Sequence, residues 1–299
     1  MKWHCGQKWA FTIAGLALAA SLPPLAAQVP SGTEHTPAQP SSGNPPAVAS
    51  SGQPAAPEAP SYRYHLELGS FDNSVSNGFG HWWGGELRLG YKPSERMIVS
   101  GQLLSQRRPG ETEQLVGVGM LLNWSKWFYT DTALSGGGPD DPAAFFPRLR
   151  YDLTANLKVP AVPGLILTGG LTRLYLGTPN NGRVRRVGAI YYWRRFVLQG
   201  DVNFNNARPG NRKSTAGSGA IQYGREGRYW LGLAAGGGRE AWQTLALTPQ
   251  DVEFTGYSTN VFLRKWLAPD YGVAFLYGYS VKRAAYRIHG WQAKFFLDF

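Results

Sequence analysis

From residue 62 onward, apolar and polar residues alternate one by one in short runs. The last stretch shows the rule. Trp291, Ala293, Phe295, Leu297 and Phe299 hold the odd positions, and Gln292, Lys294, Phe296 and Asp298 the even ones. A period of two gives a strand with one apolar and one mostly polar face. Segment 145–158 repeats it: Phe145, Pro147, Leu149, Tyr151, Leu153, Ala155 and Leu157 alternate with Arg148, Arg150, Asp152, Thr154, Asn156 and Lys158. The pattern predicts fourteen strands, with twelve as the alternative count: 62–69, 81–91, 96–106, 113–123, 126–135, 145–158, 164–175, 183–193, 195–205, 214–224, 228–238, 255–266, 271–280 and 286–299. Most have the length, about nine to eleven residues, that crosses a bilayer when tilted.

A soluble sandwich would turn the apolar faces to a core, whereas a barrel in lipid turns them outward and lines its lumen with the polar faces. The connections favour the barrel. Even-numbered links are mostly tight, as at Trp124-Ser125, Arg194 and Arg225-Glu226-Gly227. Odd-numbered links read as longer and polar, as at 70–80, 136–144, 176–182, 206–213 and 239–254. Short turns on one rim and long loops on the other is the outer-membrane arrangement, with the turns in the periplasm. Tyr91, Trp124, Trp193, Trp266 and Phe299 fall near the short-turn ends, where an interfacial girdle belongs. The fold class expected is all-β: a transmembrane antiparallel β-barrel over 62–299.

The amino-terminal part reads differently. Lys2 and Lys8 precede a short apolar run, and Leu25-Ala26-Ala27 offers small residues for cleavage, so 1–27 reads as a secretory signal peptide. Residues 28–61 are rich in Pro, Ala, Ser and Gly and hold too little apolar surface to offset chain entropy; they read as a disordered periplasmic tether. The single cysteine, Cys5, lies in the signal, so the mature chain would have neither disulfide nor thiolate site.

Composition then bounds the chemistry. A net charge of +11 admits nucleic acid, anionic lipid or simple solubility as its cause. No nucleic-acid module accompanies it, so nucleic acid is not an expected partner. His65 with Glu67 on a lumen face is a candidate general base, but a satisfied polar network is the commoner use of such a group. His81 and His289 have lipid-facing parity and no serine partner. Asp140-Asp141 and Asp251 with Glu253 lack calcium-loop spacing, and the triple glycines at 136–138 and 236–238 lack a phosphate-loop lysine. The expectation is therefore no catalytic constellation, no metal and no cofactor.

The basic residues fall into two sets. Lumen candidates are Glu67, Glu86, Arg88, Arg148, Arg150, Asp152, Lys158, Asp201, Arg228, Arg264 and Lys294, a set in which cations outnumber acids. Such a lumen would favour anions if it conducts. Arg107, Arg108, Arg183, Arg208, Arg212, Lys213, Lys282 and Arg283 read as outer-loop residues facing lipopolysaccharide, whose phosphates suit arginine.

The terminal strand, closing on Phe295, Leu297 and Phe299, resembles the last strand of bacterial outer-membrane barrels, where such an ending is an assembly signal. Asn77-Gly78-Phe79-Gly80-His81-Trp82, Phe146-Pro147-Arg148-Leu149-Arg150-Tyr151 and Gly227-Arg228-Tyr229-Trp230-Leu231-Gly232-Leu233 extend the likeness. Over 62–299 the chain resembles the YaiO-type outer-membrane β-barrel family. The resemblance implies a surface-exposed barrel in the outer membrane of a Gram-negative bacterium; the expected partners are lipopolysaccharide, through the outer-loop basic residues, and the assembly machinery, through the terminal strand, and a monomer is expected. It implies no reaction. Two readings of function follow: a narrow, anion-leaning pore or binding barrel for a small anionic or saccharide solute, or a non-conducting barrel that binds lipopolysaccharide or an envelope partner. A lipid-modifying enzyme is the weakest alternative.

Overall fold

A computed structural model describes residues 63–139, 145–177, 180–240, 254–283 and 286–299. The signal peptide and tether assigned to 1–27 and 28–61 lie outside the described residues, as do the acidic pairs at 140–141 and 251–253. Fourteen strands form one closed antiparallel sheet. They are β1 (Tyr64–Val75), β2 (Gly80–Ser94), β3 (Met97–Arg108), β4 (Glu111–Asn123), β5 (Phe128–Gly136), β6 (Leu149–Lys158) and β7 (Leu165–Tyr175), then β8 (Asn181–Trp193), β9 (Phe196–Arg208), β10 (Arg212–Arg225), β11 (Tyr229–Glu240), β12 (Phe254–Trp266), β13 (Tyr271–Lys282) and β14 (Tyr286–Asp298).

Each strand pairs with its sequence neighbours, and β14 returns to β1 from His65↔Asp298 to Val75↔Ile288. The Tyr64 amide donates to the Phe299 carbonyl at 2.7 Å, and the Phe299 amide donates back to Tyr64 at 2.9 Å. The chain's last residue thus completes the closing ladder. Closure leaves no unpaired strand edge, the condition for a sheet to stand in hydrocarbon.

Alternation sorts the faces as the sequence predicts. Leu68, Val116 and Val118 point outward at 59%, 56% and 58% exposure, although they sit in mid-strand. A continuous belt of such residues circles the sheet, which is stable only against lipid. On the rim of short turns the outward aromatics form a girdle. Tyr64 stacks on Tyr91 and Phe299, with ring centroids 5.0 and 5.3 Å apart. Trp193, Phe196 and Tyr223 continue it at 5.8 and 5.0 Å. Trp266 is the exception: it points inward, is buried, and meets Phe296 edge-on at 5.2 Å.

The two rims are less unequal than the sequence suggested. The turn rim carries 95–96, 124–127, 159–164, 194–195, 226–228 and 267–270. On the loop rim only 137–148 and 241–253 are long; 76–79, 109–110, 176–180, 209–211 and 283–285 are short. Polar strand ends such as Asp72-Asn73-Ser74 and Asn206-Ala207-Arg208 read as loop in the sequence. They are strand, because ladder hydrogen bonding continues past the apolar belt. Asn77 and Gly78 in loop 76–79 take left-handed backbone, with φ of 63° and 81°, which lets β1 reverse tightly into β2.

Segment 145–148 is a second difference. It was expected to open the sixth strand, but β6 starts at Leu149. Pro147 cannot donate to a ladder, and the segment turns into the barrel instead.

Candidate functional site: the barrel lumen

The inward residues fall into layers. Nearest the loop rim, Phe145 and Phe146 are inside the barrel at 2% and 3% exposure, packed on Phe71, Leu104, Leu115 and Leu176. Glu113, inward on β4, holds them there. Its carboxylate accepts the Phe145 amide at 3.1 and 3.2 Å and the Phe146 amide at 2.8 Å. The Arg108 guanidinium lies between Trp82 and Phe145, 4.0 Å from each ring centre. Such stacking orients a planar cation where water is excluded. Trp82 also packs with Val75, Tyr286 and Ile288.

The middle layer is ionic. On the wall made by β1, β2, β12 and β14, Glu67 accepts from Arg264 at 2.6 Å, and Lys294 sits 2.8 Å from Glu86 and 3.6 Å from Glu67. Arg88 pairs with Glu86, which also accepts from Gln292 at 2.9 Å. Arg264 further lies 3.7 Å above the Phe296 ring. His65 joins this network, with Nδ1 2.6 Å from Asp298 and Nε2 3.1 Å from Glu67. On the far wall Arg150 Nε donates to Asp152 at 2.6 Å, and Thr172 donates to the same carboxylate at 2.6 Å. Buried charges persist only when paired and hydrogen-bonded in this way.

Toward the turn rim the β3–β9 side is apolar again: Leu121, Tyr129, Ile166 and Ile190 pack together with half-buried Ile98, Tyr192 and Val197.

Between these layers, along β8 to β12, the lumen is hollow. The hollow leaves about 40 Å³ for the centres of water-sized molecules and is lined chiefly by Arg186, Gln199, Asp201, Asn203, Ser218 and Asn260. Glycines on the inner face keep it open. Arg186 lies flat over Gly170, where an added Cβ would sit 3.2 Å from Nε, and it donates to Thr154 at 2.8 Å. A Cβ at Gly188 would collide with the Asp201 carboxylate and come within 2.9 Å of Thr168 Oγ1. Asn260 rests over Gly278 in the same way. Long polar side chains therefore line the wall instead of crossing the space.

The sequence candidates divide accordingly. Glu67, Glu86, Arg88, Arg150, Asp152, Lys158, Asp201, Arg264 and Lys294 have inward positions on their strands. Arg148 does not: it is exposed on the segment before β6. Arg228 is exposed in turn 226–228. Of the residues assigned to outer loops, Arg107, Arg208 and Lys213 are exposed at strand ends on the loop rim, and Arg283 is exposed just beyond β13. Arg183 and Arg212 are half-buried at the starts of β8 and β10. Arg108 and Lys282 were misassigned. Both are buried and inward, at 7% and 6% exposure, because β3 and β13 run one further inward position than expected. Phe295 and Phe299 are exposed on the outer face, and Leu297 is half-buried. Glu113, Asp131 and Asp298 are lumen acids the sequence reading passed over. All three lie inside the expected strands 113–123, 126–135 and 286–299, where alternation already gives them inward parity.

The YaiO membrane beta barrel domain matches residues 64–243, more than half of the chain. The chain belongs to the YaiO membrane β-barrel family. No curated protein matches it. Among solved structures, this YaiO barrel is similar to the CymD monoaromatic hydrocarbon channel, with a TM-score of 0.54 and 9% identity, covering 80% of this chain and 89% of that one. It is also similar to a bacterial polysaccharide outer membrane secretin, with a TM-score of 0.51 and 6% identity, covering 80% of this chain and 99% of that one. At such identities the likeness is one of fold. The protein is an outer-membrane β-barrel with channel-like structural neighbours.

Proposed function

We propose that this YaiO-family barrel is a narrow passage or receptacle for one small polar solute, held in the hollow along β8–β12. The observation that carries the reading is the set of inner-face glycines at 170, 188 and 278, which lay Arg186, Asp201 and Asn260 against the wall. A barrel needing only a filled interior would use larger side chains there. In this reading the turn rim faces the periplasm and 1–27 directs secretion. Arg107, Arg208, Lys213 and Arg283 contact lipopolysaccharide phosphate, and the strand ending at Phe299 engages the assembly machinery. The reading assigns the barrel no reaction.

An anion preference loses support, because Arg150 is engaged by Asp152 and Arg148 lies on the loop rim. The non-conducting reading rests on the Phe145–Phe146 layer, which fills one side of the lumen near the loop rim.

Single-channel recording separates the two. The refolded barrel should give small, steady conductance steps in a planar bilayer, and Ala220→Trp, which fills the hollow, should reduce them. A folded wild-type barrel that gives no steps, and that neither passes nor binds any small solute, would leave the accessory reading in place.

A further inference from the structure

We infer that the solute is a small, uncharged, polyhydroxylated molecule. The inference rests on the reading of the hollow just given and adds its chemistry. Formal charge at the wall cancels: one guanidinium, Arg186, and one carboxylate, Asp201, line the same space. Each is already engaged, Arg186 with Thr154 at 2.8 Å and Asp201 with Gln199 at 2.9 Å. An anion drawn to Arg186 meets Asp201, and a cation drawn to Asp201 meets Arg186. Neither gains a net electrostatic advantage that would offset its desolvation.

The remaining polar groups are of one kind. Gln199, Asn203 and Asn260 each carry a donor and an acceptor, and Ser218 adds a hydroxyl. A hydroxyl also both donates and accepts, so a polyol can satisfy such groups in either sense. An apolar solute would strand them and leave each buried group without a partner. Ala220 and Ala234 stand among these groups and offer a small apolar strip, which suits the C–H face of a sugar ring.

The test uses three probes of one size and different charge: D-glucose, gluconate and glucosamine, radiolabelled, with the full chain in proteoliposomes. Glucose should enter at least about tenfold faster than either ion, equivalent to about 1.4 kcal/mol of discrimination. Asn203→Leu and Asn260→Leu should each slow glucose by about threefold to tenfold, the loss expected for one or two hydrogen bonds. Folding is checked by heat-modifiable mobility on a gel, and Ser218→Ala serves if a leucine variant does not fold. Gluconate or glucosamine entering as fast as glucose would overturn the inference and leave the passage reading standing. Unchanged glucose entry in folded variants would overturn it by placing the route elsewhere. Entry of no solute would remove the passage reading itself.

Discussion

Glu113 shows how one carboxylate redirects a segment. Alternation alone would carry residues 145–148 into β6. Glu113 instead accepts two amides of that segment, and the Phe145 and Phe146 rings go to the lumen. Glu113→Ala removes both acceptors and leaves two amides to be satisfied elsewhere, at a cost of about 1–3 kcal/mol each if they stay buried. The aromatic pair should then leave the lumen, and single-channel conductance should rise above wild type. Unchanged conductance in a folded variant would mean that ring packing alone holds the pair. Gly188 is a second single-residue control. Gly188→Val places atoms where the Asp201 carboxylate lies, so Asp201 must swing into the hollow. The variant should pass less solute and lose its heat-resistant mobility at a lower temperature than wild type.

At the scale of a strand, the two faces have different tolerances. Val118 is exposed near the middle of β4, inside the apolar belt. Val118→Arg should destabilise the barrel by about 2–4 kcal/mol, the cost of a cation on a lipid face near the midplane. Ser218→Arg, on the inner face of β10, should cost much less stability while blocking the hollow. Denaturant unfolding in lipid vesicles compares the two, and equal costs would contradict the assignment of faces. The closing strand offers a further check. Deleting Phe299 removes the backbone bonds it exchanges with Tyr64 and the ring that stacks on Tyr64 at 5.3 Å. Slower insertion into vesicles is expected, with the inserted barrel otherwise intact.

For the whole molecule, the excess positive charge of the chain is largely matched by acids in the lumen. Arg148 and Arg228 leave the inward set and Arg108 and Lys282 enter it, Glu113, Asp131 and Asp298 join as acids, and Arg88, Arg150, Arg264 and Lys294 sit on carboxylates. Arg148→Ala combined with Arg150→Ala should therefore shift the reversal potential in a salt gradient only slightly. A large loss of anion preference would restore the anion-leaning pore. Exposed loop-rim arginines should contribute a salt-sensitive affinity for lipopolysaccharide, since exposed charge pairs are screened. Arg107→Ala with Arg208→Ala should weaken it at low ionic strength, as vesicle flotation would measure.

Much of this barrel was legible without coordinates. A period of two assigns a face from residue i to residue i+2, so strand positions, the lipid belt and most lumen residues followed from local order. The strand count and closing β14 were legible for the same reason, and Phe295 and Phe299 took their outward places from parity alone. Strand ends were not. Ladder bonds to the neighbouring strand carried β3 to Arg108 and β13 to Lys282, beyond the point where apolar alternation stopped. Partnerships were also out of reach: Glu67 meets Arg264 across 197 positions in sequence, and Glu113 captures Phe145 across 32. The hollow required tertiary structure most of all. Gly170 under Arg186 and Gly188 beneath Asp201 are neighbours only because the registers of β7, β8 and β9 align them. Alternation determines which way a side chain points, and only the closed sheet decides what it meets there.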